Sequence, residues 1–245
     1  MEPVTPETPN IPVLYEDNHV LVVVKPVNMP TQEDESRDLD LLTALKQDLK
    51  VRHNKPGNVF LGLVHRLDRP VGGAMVFAKT SKAASRLSDA VRIRSIGKVY
   101  VAVVHGKPRN PEGRLVHYLL KDSRTNTVKA VPKGSHPDAK EAILEYRTLA
   151  VNGEFSLVRV QLHTGRPHQI RVQLSETGHP LYGDQKYGAD RNKPGQQLAL
   201  WSVQLSFDHP VKQEPMNFVS RPPEQHPWTL FSGELQAVAA EGVSS

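Results

Sequence analysis

The chain of 245 residues contains no cysteine, which excludes disulfide bonds, thiolate metal sites and thiol catalysis together. It also lacks any apolar run near the roughly 20 residues that a membrane-spanning helix needs, so we expect no membrane partner. The first residues, MEPVTPETPNIP, are acidic and rich in proline, unlike a signal or transit peptide. These absences are compatible with the cytoplasm, where we expect the chain to act as a monomer.

Several catalytic motifs are missing as well. The sequence has no G-x-S-x-G nucleophile elbow, no P-loop, and no G-x-G-x-x-G after a strand. Three histidines at 163, 168 and 179 do not have the spacing of an HExxH metal pair. Arg166 and Arg171 stand among them and would repel a divalent ion. We therefore expect no metal, and the chemistry falls to aspartate, arginine, tyrosine and histidine.

The composition that remains is that of a basic globular protein. The formal net charge is +5 and the sequence pI about 9.4, which suits a polyanionic partner such as a nucleic acid. The length allows one large domain or two small ones, and it is sufficient for a sizeable core. We expect a disordered tail over residues 1–10, a catalytic domain over 11–233 and a flexible tail over 234–245.

Short strand patterns outnumber helical ones. The segment KVYVAVVHG alternates as a strand, with Val99 on one face and Tyr100 on the other. Helical spacing occurs in DLDLLTALKQDL and TSKAASRLSDAVR, and Pro167 and Gly178 bracket a third helix. A regular strand-helix alternation is absent, which argues against a doubly wound parallel sheet. The sequence predicts an α+β fold, with a mixed, largely antiparallel central sheet, flanking helices and a catalytic cleft.

One short segment, LVHRLDRPVGG, places an aspartate between two arginines at a turn. On a strand, Arg66 and Asp68 share a face and His65 lies on the other. A carboxylate at a strand end before a flexible turn is placed to project into a cleft. The pattern fits either a turn-capping or salt-bridged aspartate or one that stays ionised as a nucleophile.

A second segment, HTGRPHQIR, holds the densest concentration of arginine and histidine in the chain. If residues 167–177 form a helix, His168 and Arg171 lie one turn apart on one face. That face begins at a helix N-terminus, which favours anions. The segment indicates either a phosphate or carboxylate site or an ordinary solvated basic face.

Taken together, four segments resemble the RluA-type RNA pseudouridine synthases. They are YEDNHVLVVVKP, HRLDRPVGG with AMVFAKT, KVYVAVVHG, and HTGRPHQIRVQLSETGHPLYGDQKYG. The resemblance runs from about residue 14 to about residue 219. Two positions depart from the family pattern. Val71-Gly72 stands where the family usually has a Thr-Ser pair, and Gln173 replaces the usual histidine after QIRV.

The resemblance implies isomerisation of uridine to pseudouridine in RNA, without cofactor or metal. It implies that Asp68 is the nucleophile, that Tyr100 packs against the target base, and that Arg171 pairs with Asp68. Arg66 is implied as the side chain that fills the space of the displaced base. We assign further RNA contacts to His65, Lys98, Arg166 and His168.

These roles agree with the chemistry that the reaction demands. Burial under a base would favour the neutral acid, whereas an arginine beside the carboxylate favours the charged form. The carboxylate could attack the anomeric carbon of the sugar or C6 of uracil, or assist loss of a sugar proton. The target could lie in ribosomal or transfer RNA. The alternatives are a catalytically silent RNA-binding or ribosome-assembly module of the same fold and, more weakly, a metal-dependent hydrolase.

Overall fold

The computed structural model describes residues 10–241. Its strands are β1 Val13–Glu16, β2 Val20–Lys25, β3 Gly62–Leu63, β4 Gly72–Ala78, β5 Gly97–His105, β6 Glu112–Asp122, β7 Thr127–Val131, β8 Lys140–Asn152, β9 Phe155–Leu162, β10 Leu200–Asp208 and β11 Pro215–Val219. Its α-helices are α1 Leu41–Arg52, α2 Ser81–Arg92, α3 Gln169–Glu176 and α4 Ser232–Glu241, with a 3₁₀ helix at Trp228–Phe231.

All of these strands belong to one sheet. Its order is β1-β2-β4-β10-β5-β9-β8-β6-β7, with β11 paired to β10 and β3 to β4. The contact between β10 and β4 is parallel, and the other pairings are antiparallel. The predicted mixed, largely antiparallel α+β fold is confirmed.

Strand β5 crosses the middle of the sheet, and its alternating side chains enter two different cores. Val99, Val101 and Val103 pack with the 3₁₀ helix and α4. Tyr100 and the alternate residues after it pack in the cluster that contains α1 and α3 side chains. This division matches the period of two expected for a strand that is buried on both faces. It directs Tyr100 toward the face on which α3 lies.

The first two helices begin where the sequence indicates. Asp40 caps α1 by accepting a hydrogen bond from the Thr43 backbone, and Thr80 caps α2 in the same way from Ala83. Side-chain caps of this kind satisfy N–H groups that have no partner within a helix. No helix within residues 10–241 combines the length and apolar character needed to cross a membrane.

Three local predictions differ from the structure. Helix α3 begins at Gln169 and not at Pro167, because His168 has a left-handed backbone with φ of 51°. The sequence NVFLGLVH predicts a longer strand leading into the Asp68 segment, but only Gly62–Leu63 form one. The expected flexible tail from Glu234 is wrong up to Glu241, since this segment lies in α4 and buries Leu235. Residues 1–9 and 242–245, which complete the two expected tails, lie outside the described residues.

Candidate active site

Asp68 lies in an irregular segment between β3 and β4. The three residues before it alternate as they would in a strand, with His65 and Leu67 buried and Arg66 exposed. The Val71 backbone N–H donates to the Asp68 carbonyl at 2.9 Å and closes a turn. The Asp68 side chain is 28% exposed, so the carboxylate is held in the structure but is still reachable from solvent. We call residues 68–71 the aspartate turn.

A buried lysine at the end of β2 holds the aspartate turn through hydrogen bonds. Nζ of Lys25 donates to the carbonyls of Pro26 at 2.9 Å, Arg69 at 3.0 Å and Val71 at 2.7 Å. Burial lowers the pKa of Lys25 to about 7, while the negative charge of Asp68 opposes that shift. Below that pH Nζ is an ammonium group, and only this form has three N–H bonds for the three carbonyls.

The cation that faces the Asp68 carboxylate comes from a residue that is distant in the sequence. Nη1 of Arg171, on α3, lies 3.4 Å from Oδ2 of Asp68. The same guanidinium binds Asp184 in a bidentate manner, with Nε and Nη2 each donating at 2.8 Å. Burial alone would raise the pKa of Asp184, but the hydrogen bonds and charge of Arg171 outweigh it and keep the pKa below its usual value. Asp184 thus fixes Arg171, and Arg171 faces Asp68.

His168 completes the polar surroundings of the carboxylate. Its Nε2 lies 3.9 Å from Oδ2 of Asp68, and its Nδ1 lies 2.6 Å from the hydroxyl oxygen of Tyr187. Burial lowers the pKa of His168, and the charges of Arg171 and Lys186 lower it further, while Asp68 and Asp184 act in the opposite direction. The neutral imidazole is therefore favoured at this site.

Tyr100 lies on β5 beneath the same site and is buried. Its cross-strand neighbours are Val160 on β9 and Ser202 on β10. Burial raises the pKa of Tyr100 and the charge of Asp68 raises it further, while a hydrogen bond with Ser202 opposes the shift. The side chain is thus a neutral phenol within the electric field of the Asp68 carboxylate.

The two arginines beside Asp68 in the sequence do not hold its carboxylate. Arg69 turns away to the loop after β2, where it donates to Ser36 at 2.9 Å and pairs with Asp38. Arg66 is exposed and makes no hydrogen bond or ion pair with the described part of the chain. The cation that faces the Asp68 carboxylate is therefore Arg171, the partner that the family resemblance implies.

Three residues assigned to RNA contacts, His65, Lys98 and Arg166, differ in their burial and in their hydrogen bonds. His65 is buried, and its Nε2 accepts a hydrogen bond from the Val76 backbone at 3.1 Å. Burial lowers the pKa of His65 to about 3, so this ring is a neutral core group, and its assignment to RNA binding is corrected. Lys98 is largely buried and has a lowered pKa for that reason. Arg166 is half-buried and donates to the Glu141 carbonyl at 2.9 Å.

The two departures from the family pattern have structural explanations. A Cβ added at Gly72 would lie 2.2 Å from the ring of Trp201, so this glycine admits the indole against β4. Gln173 is buried, and its Nε2 contacts the carbonyls of Leu115 and Ala142, each at 3.2 Å. Val71 contacts Asp68 only through the backbone hydrogen bond that closes the turn. Gly72 and Gln173 make no hydrogen bond or ion pair with Asp68 within residues 10–241, so these two positions affect packing beside the site.

Sequence reasoning assigned no role to Lys25, Asp184 or Tyr187, although all three build the site. Asp184 and Tyr187 stand in the segment HPLYGDQKYG, whose polar residues gave a signal without showing which of them would face Arg171. Lys25 stands before Pro26 at the end of an apolar strand, where a lone lysine also fits an exposed strand end. Among residues 10–241 no group of three or more histidines and carboxylates is arranged to hold a metal.

The comparisons with known proteins agree with this fold. The profile of the RNA pseudouridylate synthase family matches residues 19–176, a span that contains the aspartate turn, β5 and α3. The chain therefore belongs to the RNA pseudouridine synthases, which are isomerases that act on RNA. The relatives below place it among the RluA-type members of that family.

Two similar relatives come from Bacillus subtilis. The RNA pseudouridine synthase YjbO is 37% identical over 226 residues, which cover 91% of this chain and 76% of the relative. The RNA pseudouridine synthase YhcT is 33% identical over 221 residues, covering 86% and 68%. The ribosomal large subunit pseudouridine synthase D of Yersinia pestis is 33% identical and covers 89% of this chain and 69% of its own length.

Solved structures show the same fold. The human RNA pseudouridylate synthase domain containing 1 superposes with a TM-score of 0.71 at 25% identity, covering 95% of this chain and 90% of its own. The human RNA pseudouridylate synthase domain containing 4 gives a TM-score of 0.74 at 24% identity, with coverage of 92% and 93%. The sheet described above is thus the pseudouridine synthase fold.

Proposed function

We propose that the chain isomerises specific uridines of ribosomal or transfer RNA to pseudouridine, with Asp68 as the nucleophile and without a cofactor. The observation that carries the proposal is the state of the Asp68 carboxylate. It is partly exposed, and Oδ2 faces Arg171 at 3.4 Å, while Oδ1 makes no hydrogen bond or ion pair with residues 10–241. One oxygen is held and the other is open to a substrate.

The cation beside Asp68 keeps its charge throughout. Arg171 is protonated at any physiological pH, and its side chain is only 7% exposed because α3 and Asp184 enclose it. When a base covers the site and excludes water, the interaction between Arg171 and Asp68 becomes stronger. The carboxylate is therefore stabilised in its ionised, nucleophilic form when the substrate is bound.

The reaction itself needs bond exchange at one sugar carbon. The bond from that carbon to N1 of uracil breaks, the base turns, and a bond to C5 forms. N1 gains a proton and C5 loses one, so the product is an isomer of the substrate. Asp68 assists the first step by attack on the anomeric carbon of the sugar, by attack on C6 of uracil, or by assisting loss of a sugar proton.

Tyr100 is proposed to stack on the displaced base and to help move the C5 proton. Stacking recovers about 1–3 kcal/mol of the few kcal/mol that unstacking a base costs. Because its pKa is raised, Tyr100 is a poor phenolate base at neutral pH. It can accept the C5 proton only while its own hydroxyl proton passes to another group, and Asp68 is the nearby anion.

The experiment that tests the nucleophile is Asp68→Asn, which keeps the shape of the side chain and removes its charge. We expect the purified variant to fold, to bind RNA, and to form no pseudouridine in RNA from cells that lack this protein. Asp89→Asn, at an exposed position of α2, is the matched control and should remain active. Turnover by the Asp68→Asn variant at a rate near that of the control would remove Asp68 from this role.

The same measurement separates the enzyme from a silent RNA-binding module. A silent module would leave the pseudouridine content of the RNA unchanged whether the wild-type protein is present or absent. Mapping pseudouridines in total RNA, with and without the protein, also names the target and distinguishes ribosomal from transfer RNA. Loss of wild-type activity on chelator treatment, reversed by added zinc or magnesium, would contradict the proposal that no metal takes part.

A further inference from the structure

We infer that Tyr187 is a positioning residue that fixes the tautomer of His168, so that His168 presents an N–H bond to Asp68. This rests on the proposed role of Asp68 for its effect on the reaction. The contact geometry that carries it does not depend on that role. The hydroxyl of Tyr187 stands between a backbone N–H of β7 and the imidazole of His168.

The hydrogen bonds at Tyr187 determine where its proton lies. The backbone N–H of Val128 donates to the hydroxyl oxygen at 2.9 Å, so this oxygen is already an acceptor. The other contact is Nδ1 of His168 at 2.6 Å. The hydroxyl has a single proton, and Nδ1 is the acceptor it meets within the described residues. The arrangement that satisfies every group is donation from Tyr187 to Nδ1 of His168.

That assignment fixes the rest of the imidazole. A neutral histidine carries one ring proton, and with Nδ1 accepting, the proton must be on Nε2. Nε2 is the atom that faces Oδ2 of Asp68 at 3.9 Å. A movement of about 1 Å would bring this pair into hydrogen-bond range. In the other tautomer Nε2 would turn a lone pair toward the carboxylate, and the two groups would repel each other.

The electrostatic surroundings of His168 favour the neutral ring on which the assignment depends. Arg171 and Lys186 disfavour a second positive charge, whereas Asp68 and Asp184 favour it, and burial adds to the first effect. The Tyr187 ring itself also packs on Arg171, whose guanidinium carbon lies 5.1 Å from the ring centroid. Phenylalanine at 187 would keep this ring contact and lose only the hydroxyl.

The backbone at His168 shows that the chain holds this side chain in an uncommon position. Its φ of 51° lies in the left-handed region, which is unfavourable for a residue other than glycine. Gln169 secures the bend. Its Oε1 accepts from the Arg166 backbone at 3.0 Å and from the Thr164 hydroxyl at 2.8 Å. Strained backbone held by its surroundings is typical of functional sites.

The first test reads the tautomer directly. Nitrogen-15 NMR of the wild-type protein without RNA should show His168 as the neutral Nε2–H form, with its signals assigned by their absence in His168→Gly. Glycine accepts the left-handed backbone without strain. In Tyr187→Phe the Nε2–H form should no longer predominate. An Nδ1–H or doubly protonated ring in the wild-type protein at neutral pH would overturn the inference, whatever the role of Asp68.

The second test asks whether Tyr187 acts through His168. Tyr187→Phe should lower kcat about tenfold or more, the effect of losing one hydrogen bond to a charged group, and leave KM for RNA nearly unchanged. Added to His168→Gly, it should cause no further loss. Tyr182→Phe, whose hydroxyl contacts Gln196 away from the site, is the matched control. A wild-type kcat in Tyr187→Phe, or fully additive losses in the double variant, would overturn the inference.

Discussion

Removing the charge of Asp184 should destabilise the protein more than it alters the shape of the site. In Asp184→Asn the buried guanidinium of Arg171 loses its bidentate partner, and breaking a buried ion pair costs about 3–5 kcal/mol. Asp68, 3.4 Å from Nη1 and 28% exposed, compensates for part of that loss. Asparagine also keeps one oxygen acceptor. We therefore expect a decrease of about 2–4 kcal/mol in the free energy of unfolding.

A second substitution makes this prediction sharper. Replacing Arg171 by methionine in the Asp184→Asn background removes the unpaired cation and keeps much of the side-chain volume. An apolar replacement of a whole buried pair is often neutral, so the double variant should recover most of the lost stability. It should remain inactive, because Asp68 then has no cation. Stability and activity would separate in this variant.

Urea denaturation at pH 7 measures these changes. Both tryptophans, Trp201 and Trp228, are buried, so their fluorescence reports unfolding. Asp122→Asn is the control. Asp122 forms an exposed ion pair with Arg124, with Oδ1 and Nε 3.8 Å apart, and such a pair should contribute about 0–1 kcal/mol to stability. A loss below about 1 kcal/mol for Asp184→Asn, or a double variant less stable than Asp184→Asn alone, would refute the reasoning.

Three further outcomes are expected. The pKa of His65 is about 3 in the folded protein and about 6.5 in the unfolded chain. The stability that comes from burying the neutral ring is therefore complete above about pH 6.5 and is lost as the pH falls below that value. From pH 7 to pH 5, urea titrations should show the free energy of unfolding of the wild-type protein falling by about 2 kcal/mol more than that of His65→Gln. Equal decreases in the two proteins would contradict a buried neutral ring at His65. Gly72→Ser should lower the free energy of unfolding by about 1–3 kcal/mol through overpacking against Trp201. Trp201→Leu should lower it by less in the Gly72→Ser variant than in the wild-type protein. Additive losses in the same urea titrations would argue against the contact between the two residues. Tyr100→Phe should bind RNA nearly as well as the wild-type protein but release tritium slowly from C5-labelled uridine, whereas Tyr100→Leu should also weaken RNA binding by about 1–3 kcal/mol. Tritium release by Tyr100→Phe at the wild-type rate would mean that Tyr100 acts by stacking only. A fully active Tyr100→Leu variant would exclude both roles.

The extent to which sequence predicted the structure differs between elements. The alternation in KVYVAVVHG predicted β5 and the opposite directions of Val99 and Tyr100, because a strand buried on both faces depends on local pattern alone. The flexible tail was predicted wrongly even though a signal existed. Leu235, Val238 and Ala239 stand at helical spacing, and these three side chains are the ones that α4 buries.

The candidate site shows where local pattern is insufficient. The two arginines adjacent to Asp68 are near it in sequence, yet the cation that holds it is 103 residues away. Resemblance to a family supplied that partner, and residue spacing did not. The start of α3 was misplaced because the preference of proline for a first helical position is overridden by the hydrogen bonds of Gln169. His65 was assigned to RNA binding because the motif alone does not show whether a histidine ring faces the core or the solvent.

The position of β10 affects how the protein is made. This strand lies between β4 and β5 in the sheet, although it begins 95 residues after the end of β5 and 122 residues after the end of β4. A nascent chain that has not yet produced residues 200–208 has no strand to join the part carrying Asp68 to the part carrying Tyr100. Closing so long a loop slows folding. Most of the chain must therefore leave the ribosome before β10 can join the two sides of the cleft.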